Sequence, residues 1–387
     1  MLNPIVLLRI LILAVVGLLL LTAYVYRFAA FCQWATPSHY DLLFNDHFLR
    51  HTVKTVFHET KPSHIMFMGD IFSNQWISSG EFASRLDRFK WTTGQLPGDF
   101  LPTGFPLYNL SGNHDIGYGR DTTPVMVERW EKDFGLVNHQ FVILADHPAA
   151  PKVVMLNTQN LDHSRYASVQ EAAWKFLQQV SEEQWATHFT HPLLLFLHIP
   201  LYKPTGLCVD PPEINVNTRD EIIDQTMLSP WISRYILYCL RPTVILTGHD
   251  HEGCKTEHRV GPVEAKSIDM VALKQWCQAD PHTLEAGIAP FEAALPVTVD
   301  NWAPTSDPLR TTSPESIRDL QELVVPEITV RSIMGDFNGN SGLFEIVAKQ
   351  GPRQSLLLLV AALIIYPISG WGLRALITGH RHIKKQY

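Results

Sequence analysis

The chain has 387 residues, 46% of them hydrophobic, which suffices for one large domain or two ordinary ones and excludes a disordered polymer. Its net charge of −7 and isoelectric point near 6.2 lack the basic excess of a nucleic-acid binder, so no nucleic-acid partner is expected. Among the 18 histidines a few suit metal ligation, and the rest suit a surface or a satisfied core.

The chain opens with an apolar run. Ile10 to Tyr26 carry no charge and Ile5 to Leu8 extend the run beyond Arg9, so residues 5–30 read as a membrane-spanning helix, which needs about 20 such residues. A cleaved signal peptide is the competing reading, but its apolar core usually runs only about 7–15 residues, which favours the anchor. Residues 36–350 then read as one domain. Phe48, Leu49, Val53, Val56 and Phe57 recur at helical spacing between Asn45 and Glu59, ahead of a strand at Ile65–Met68. Amphipathic helices are predicted over Glu81–Trp91, Pro124–Phe134 and Ser168–Val180, and a helix-like segment over Pro230–Leu240. Phe105–Leu110, Leu193–Leu197 and Val244–Thr247 read as buried strands, with Phe141–Leu144 and Val153–Leu156 as a strand pair. Such alternation predicts an α/β layered domain whose ligands lie on loops at strand ends.

From 264 to 325 prolines are spread through a mildly acidic stretch, which reads as a long insertion or partly ordered loop before a last strand at Pro326–Val330. Residues 355–373, from Ser355 to Leu373, read as a second membrane span. The basic tail 374–387 that follows, with Arg374, Arg381, Lys384 and Lys385, places the C-terminus in the cytosol by the positive-inside rule. Two spans would put both termini in the cytosol and the domain between them in a lumen. Lys384-Lys385-Gln386-Tyr387 resembles a dilysine tail read by a retrieval coat; a plain basic flank is the alternative. The five cysteines fit an oxidising lumen. Cys32 lies at the membrane edge, Cys208 and Cys254 are expected to pair beside the site, and Cys239 reads as a buried thiol. The sequon Asn109-Leu110-Ser111 falls at a buried strand end, where a glycan is not expected.

Four strands end in polar side chains. These are Gly69-Asp70, Ser111-Gly112-Asn113-His114-Asp115, His198, and Gly248-His249-Asp250-His251. A phosphoester hydrolase working at neutral pH commonly uses two divalent ions to make hydroxide and to neutralise charge in an in-line transition state. Carboxylate, amide oxygen and imidazole are the ligands such ions take, and Asp70, Asn113, His198, His249 and His251 supply them. That leaves His114 to give a proton to the leaving oxygen, with Asp115 placed to orient it.

In that order, the four stretches resemble the motif series of calcineurin-like metallophosphoesterases. Apolar runs at both ends, His198-Ile199-Pro200-Leu201-Tyr202, Cys254 after Gly-His-Asp-His, and Val330-Arg331-Ser332-Ile333-Met334-Gly335 resemble the membrane-anchored branch that remodels glycosylphosphatidylinositol (GPI) anchors. The resemblance implies a layered β-sandwich flanked by helices and two divalent ions, manganese being the expected one. Asp70 would bridge both; Asn113, His198 and His249 would complete the second site, His251 would serve the first, and His114 would be the general acid. It implies GPI-anchored proteins as substrate, an ethanolamine phosphate on an anchor mannose as the group removed, and a place in the endoplasmic reticulum or early Golgi membrane.

One motif of the family is missing. Its Asp-x-His or Asp-x-Gln at the end of an opening strand should stand several tens of residues before Asp70, where this chain has only Thr36-Pro37-Ser38-His39-Tyr40-Asp41 running into a helix. His39, Asp41, Asp46 or His47 could substitute, a segment carrying the strand could have been lost, or the protein could be a one-metal or inactive relative. A phosphodiester hydrolase and a non-catalytic binder of GPI glycans or cargo therefore both remain open. His114 and Asp115 beside a complete second site favour the enzyme.

Overall fold

The computed structural model describes residues 11–22, 39–146, 150–261, 270–279, 295, 297–302, 323–332, 342–347 and 355–361. Residues 11–22 are helical (α1). In chain order there follow α2 (His39–Thr60), β1 (His64–Phe67), α3 (Ser79–Thr92), β2 (Leu107–Asn109), α4 (Asn113–Ile116), α5 (Pro124–Phe134), β3 (His139–Val142), β4 (Lys152–Leu156), α6 (Ala167–Ala186) and β5 (Leu193–Leu197). Next come β6 (Ile214–Val216), β7 (Ile222–Gln225), α7 (Pro230–Tyr235) with a π-helical turn (Ile236–Leu240), β8 (Val244–Thr247) and β9 (Cys254–Val260). The last are α8 (Met270–Gln278), β10 (Val297–Asn301), β11 (Leu323–Thr329), β12 (Gly342–Val347) and β13 (Ser355–Ala361).

Period-two alternation in the strands builds the layers. On β1, Ile65 and Phe67 face α2 through Val53, while Met66 joins Met68, Leu110 and the Val153, Met155, Leu194, Phe196, Val244 and Leu246 set in a shared core. That core lies between a four-stranded sheet, β12-β13-β1-β2, and a seven-stranded one, β10-β9-β11-β8-β5-β4-β3. The other face of the large sheet presents Leu193, Leu195 and Leu197 to Trp174 and Leu177 of α6 and to Ile232 and Tyr235 of α7. Each fully buried leucine contributes about 1.5–3 kcal/mol. The result is a sandwich of two sheets with helices on both outer faces, as the family resemblance implies.

Local chemistry explains the helix ends. Ser78 accepts from Glu81 N to start α3, and Thr123 accepts from Met126 N to start α5, whose Pro124 loses no hydrogen bond in the first turn. β1 and β2 run parallel, as do β4, β5, β8 and β11 among themselves. The strand ends that carry polar residues thus gather at one edge of the sandwich.

The apolar ends behave differently from the expectation. Of the first run, α1 is helical and exposed, and among the described residues no helix is long and apolar enough to cross a membrane. The described part of the second run is a strand: β13 pairs in parallel with β1, Leu358 opposite His64, and antiparallel with β12. A stretch apolar on both faces satisfies a hydropathy window whether it meets lipid or the middle of a sheet, and here neighbouring strands take its backbone hydrogen bonds on both sides. Among the described residues the two-span topology finds no support, and residues 362–373 of the predicted second span lie outside them. The basic tail and Cys32 lie outside the described residues.

The region expected to be an insertion is partly ordered core. Leu273 and Cys277 of α8 are fully buried and Trp276 nearly so, against Tyr235 and the π turn, while β10 pairs with β9. Cys239 is accordingly no free thiol but is bonded to Cys277, and Cys208 is bonded to Cys254 as expected. Asn109 and Ser111 are buried, which leaves the sequon closed to a glycan. The cross-link from the π turn to α8 closes a loop of 38 residues. Replacing Cys239 and Cys277 together by alanine should therefore lower the urea unfolding free energy by about 2–4 kcal/mol, and an unchanged midpoint would show that α8 is not held to the core.

Candidate metal centre

The centre lies where the ends of β1, β2, β5 and β8 meet. Past β1 the chain turns at Gly69 (φ 97) and Asp70 (φ 53), and past β8 at His249 (φ 71). Left-handed backbone costs energy at a non-glycine residue, less at Asp and His than at most, and the described residues also adopt it at turns away from the centre such as Lys61 and Asp220. A Cβ on Gly69 would lie 2.3 Å from His198 Nδ1, and one on Gly112 would lie 2.1 Å from Asp70 Oδ1. Glycine at both places is a condition of the close approach.

Hydrogen bonds fix which ring nitrogens face inward. His198, buried at the end of β5, donates from Nδ1 to Met68 O at 2.7 Å. This leaves its Nε2 3.0 Å from Asn113 Oδ1 and 3.4 Å from Asp70 Oδ2. His249 donates from Nε2 to Gln225 O at 2.8 Å, so its Nδ1 is the free nitrogen. Asp70, His198 and His249 each bring one ligand atom within 4.8 Å of the others. Asp70 Oδ1 also accepts from the His114 backbone N–H at 3.0 Å.

Charge follows from these contacts. Burial pushes the Asp70 carboxyl up, but the adjacent His198 outweighs it and holds it well below the usual carboxylate range. Burial, with His198 alongside, pushes His249 down to about 4, so its ring is neutral. His198 itself is pushed down by burial and pulled up further by Asp70, for a net rise.

With Nδ1 committed to a carbonyl, His198 Nε2 faces an amide oxygen and a carboxylate oxygen that can only accept. A positive charge must stand among these acceptors, either a proton on Nε2 or a cation. Imidazole nitrogen, carboxylate and amide oxygen are the donors a divalent metal takes, and imidazoles pinned through the opposite nitrogen are how proteins present them. The residues fit a divalent ion.

Comparisons with known proteins give the family. A family model described as calcineurin-like phosphoesterase matches residues 41–253. The chain belongs to that family. An uncharacterised protein of Schizosaccharomyces pombe is 31% identical over 260 residues, covering 58% of this chain and 59% of that one. Protein TED1 of Saccharomyces cerevisiae is 26% identical over 379 residues (79% and 69%), and Metallophosphoesterase 1 of Danio rerio 27% over 219 (51% and 54%). The chain thus spans little more than half the length of the fission-yeast and fish relatives.

The centre gathers some of the expected residues and not others. Asp70, Asn113, His198 and His249 converge, whereas His251 is close enough to feel the charge of Asp70 and His114 but lies outside the three-residue cluster. His114 is exposed, with only its backbone tied to Asp70. Asp115 does not orient it: its oxygens accept from Phe72 N and Gly112 N, each at 2.8 Å, and close the turn under the site. Among the residues that could substitute for the missing motif, Asp46 is paired with Arg88 at 2.6 Å and His47 lies edge-on to Trp91, both toward α3. The side chains of His39 and Asp41 lie outside the described residues.

Three contributors escaped the sequence reading. Met68 and Gln225 act through backbone carbonyls, for which side-chain identity gives no signal. Tyr118, edge-on to His249 at 6.1 Å and kept a neutral phenol by burial and the nearby Asp224, carries a faint one as an aromatic between two glycines just after the motif.

Asp70→Ala should abolish Mn²⁺ binding measured by calorimetry. Gly112→Ala removes no ligand yet should weaken binding and cost about 1–3 kcal/mol of stability, because its methyl group meets Asp70. Since the folded pKa of His198 is raised, protons compete with metal up through neutral pH, so affinity should rise with pH over that range and uptake should release a proton. Binding indifferent to pH between 6 and 8 would contradict this arrangement.

Proposed function

We propose that the chain is a metal-dependent phosphodiester hydrolase of the secretory pathway. The convergence of Asp70, Asn113, His198 and His249 beside an exposed His114 supports this reading most directly. A bound divalent metal would polarise a phosphoryl oxygen and supply hydroxide at neutral pH. Asp70, His198, His249 and Asn113 would hold it. Asp70 would also hold the His114 backbone, so that the ring stands at the mouth of the site, where it gives its proton to the leaving oxygen. The disulfides Cys208–Cys254 and Cys239–Cys277 support an oxidising compartment, and the exposed apolar α1 supports contact with a membrane.

Likeness to Metallophosphoesterase 1 and TED1 extends the proposal to the substrate: an ethanolamine phosphate carried on a mannose of a GPI anchor, in the endoplasmic reticulum or early Golgi. One observation favours the non-catalytic alternative. The stretch ahead of β1 carries no Asp-x-His or Asp-x-Gln, and among the described residues the one His and Asp cluster able to hold a metal ion is Asp70, His198 and His249.

His114→Ala decides between the readings. It should leave Mn²⁺ affinity nearly intact while slowing cleavage of an alkyl phosphodiester by about 10²–10⁴-fold. A nitrophenyl diester, whose leaving group needs no proton, should be cleaved almost as fast as by the unaltered protein. Equal slowing of both would remove His114 as the acid, and Mn²⁺ binding without turnover of either by the unaltered protein would favour the binder.

A further inference from the structure

Between His198 and α7 the chain has little secondary structure, yet side chains hold its backbone closely. Ile199 N donates to Thr158 Oγ1 at 3.0 Å, Tyr202 N to Ser233 Oγ at 2.9 Å, and Leu201 N to Glu327 Oε1 at 3.1 Å. Glu327 comes from β11, far off in sequence, and is fully buried. Its Oε1 also accepts from Lys203 Nζ at 2.7 Å and its Oε2 from His258 Nε2 at 2.5 Å, while Lys203 Nζ donates to Leu201 O at 3.0 Å. The peptide groups on both sides of Leu201 are thus gripped by one buried ion pair. Burial pushes the Glu327 carboxyl up, but Lys203 and His258 outweigh it, so it stays ionised.

Such a triad is a poor way to gain stability. Desolvating both charges costs several kcal/mol, and well-packed apolar side chains of similar volume often do as well or better. What the ions supply here is direction: an acceptor on a rigid sheet for one amide and a donor for one carbonyl, three residues past His198. Lys203 lies near enough to Asp250, the neighbour of His249, for its charge to act there.

We propose that Glu327 is a positioning residue of the metal centre, fixing through the Leu201 N–H the path of the loop that carries His198 and hence the place of His198 Nε2. The proposal rests on the reading of Asp70, His198 and His249 as metal ligands. Two full-length variants separate positioning from packing or charge. Glu327→Gln with Lys203→Met removes both charges, and the amide still accepts from Leu201 N and can donate to His258. Glu327→Leu with Lys203→Met and His258→Leu removes the charges and leaves Leu201 N without an acceptor. Mn²⁺ affinity is read from the paramagnetic resonance of free Mn²⁺, and amide exchange at Leu201 from the metal-free protein.

The Gln/Met form should bind Mn²⁺ within about threefold of the unaltered protein and keep Leu201 protected. The Leu/Met/Leu form should bind about 10–100-fold more weakly, the usual effect of losing a residue that orients a ligand, and should exchange Leu201 faster at an unfolding midpoint no lower than that of the Gln/Met form. Equal affinity in both variants, or equal loss, overturns the proposal. If the triple variant does not fold, a loss beyond tenfold in the Gln/Met form overturns it, and rescue relative to Glu327→Ala supports it. If the unaltered protein takes up no Mn²⁺, the ligand reading fails by itself; Leu201 exchange then decides whether the grip exists.

Discussion

One hydrogen bond ties the two sheets together at the point where chemistry is expected. His198 ends a strand of the large sheet and donates to Met68 O at the end of β1 in the small one, 2.7 Å away. The bond sets the imidazole tautomer, closes the gap between the layers and requires that Gly69 carry no side chain. Gly248 N reinforces it by donating to His198 O at 3.2 Å. Move either sheet by an ångström and the inward-facing nitrogens of His198 and His249 no longer share a centre with Asp70. The buried methionine and leucine layer between the sheets therefore matters for function as well as stability, because it fixes the spacing that this bond spans.

Much of this was legible in the residue order. Buried strands such as Leu193–Leu197 and Val244–Thr247 have the bounds that their apolar runs predict, and α5 has the predicted bounds Pro124–Phe134. The clustering of polar side chains at strand ends was legible for the same reason: a polar side chain directly after an apolar run stands at the end of the core strand. Long-range partnership was not legible. Asp46 and His47 carry competent side chains, but the face of α2 on which they sit is decided by packing against α3. Asp115 stands within a ligand motif and yet spends its carboxylate on two amides. Cys239 could not be paired without knowing that α8 folds back onto the π turn, nor Glu327 assigned without knowing that β11 runs beneath the His198 loop.

The apolar ends show the limit of hydropathy in another way. Seven residues, six of them leucine, valine or alanine, fit a central strand or about a third of a membrane helix equally well by composition. What distinguishes them is the supply of hydrogen-bonding neighbours, and β13 finds one on each side. Its place beside β1 means that the two chain halves close a single sheet, so the Asp70 turn depends on a segment nearly 300 residues away in sequence.

The left-handed backbone at Asp70 and His249 bears on how such a protein changes over generations. Glycine would sit at either position with less backbone strain than the ligand does, so an exchange that destroys the centre relieves strain at the turn. Selection for stability alone pulls these two positions away from metal binding. A lineage that stopped needing hydrolysis would lose the ligands at the turns first and keep the sandwich, drifting into a stable scaffold that carries the outline of a phosphoesterase without its ions.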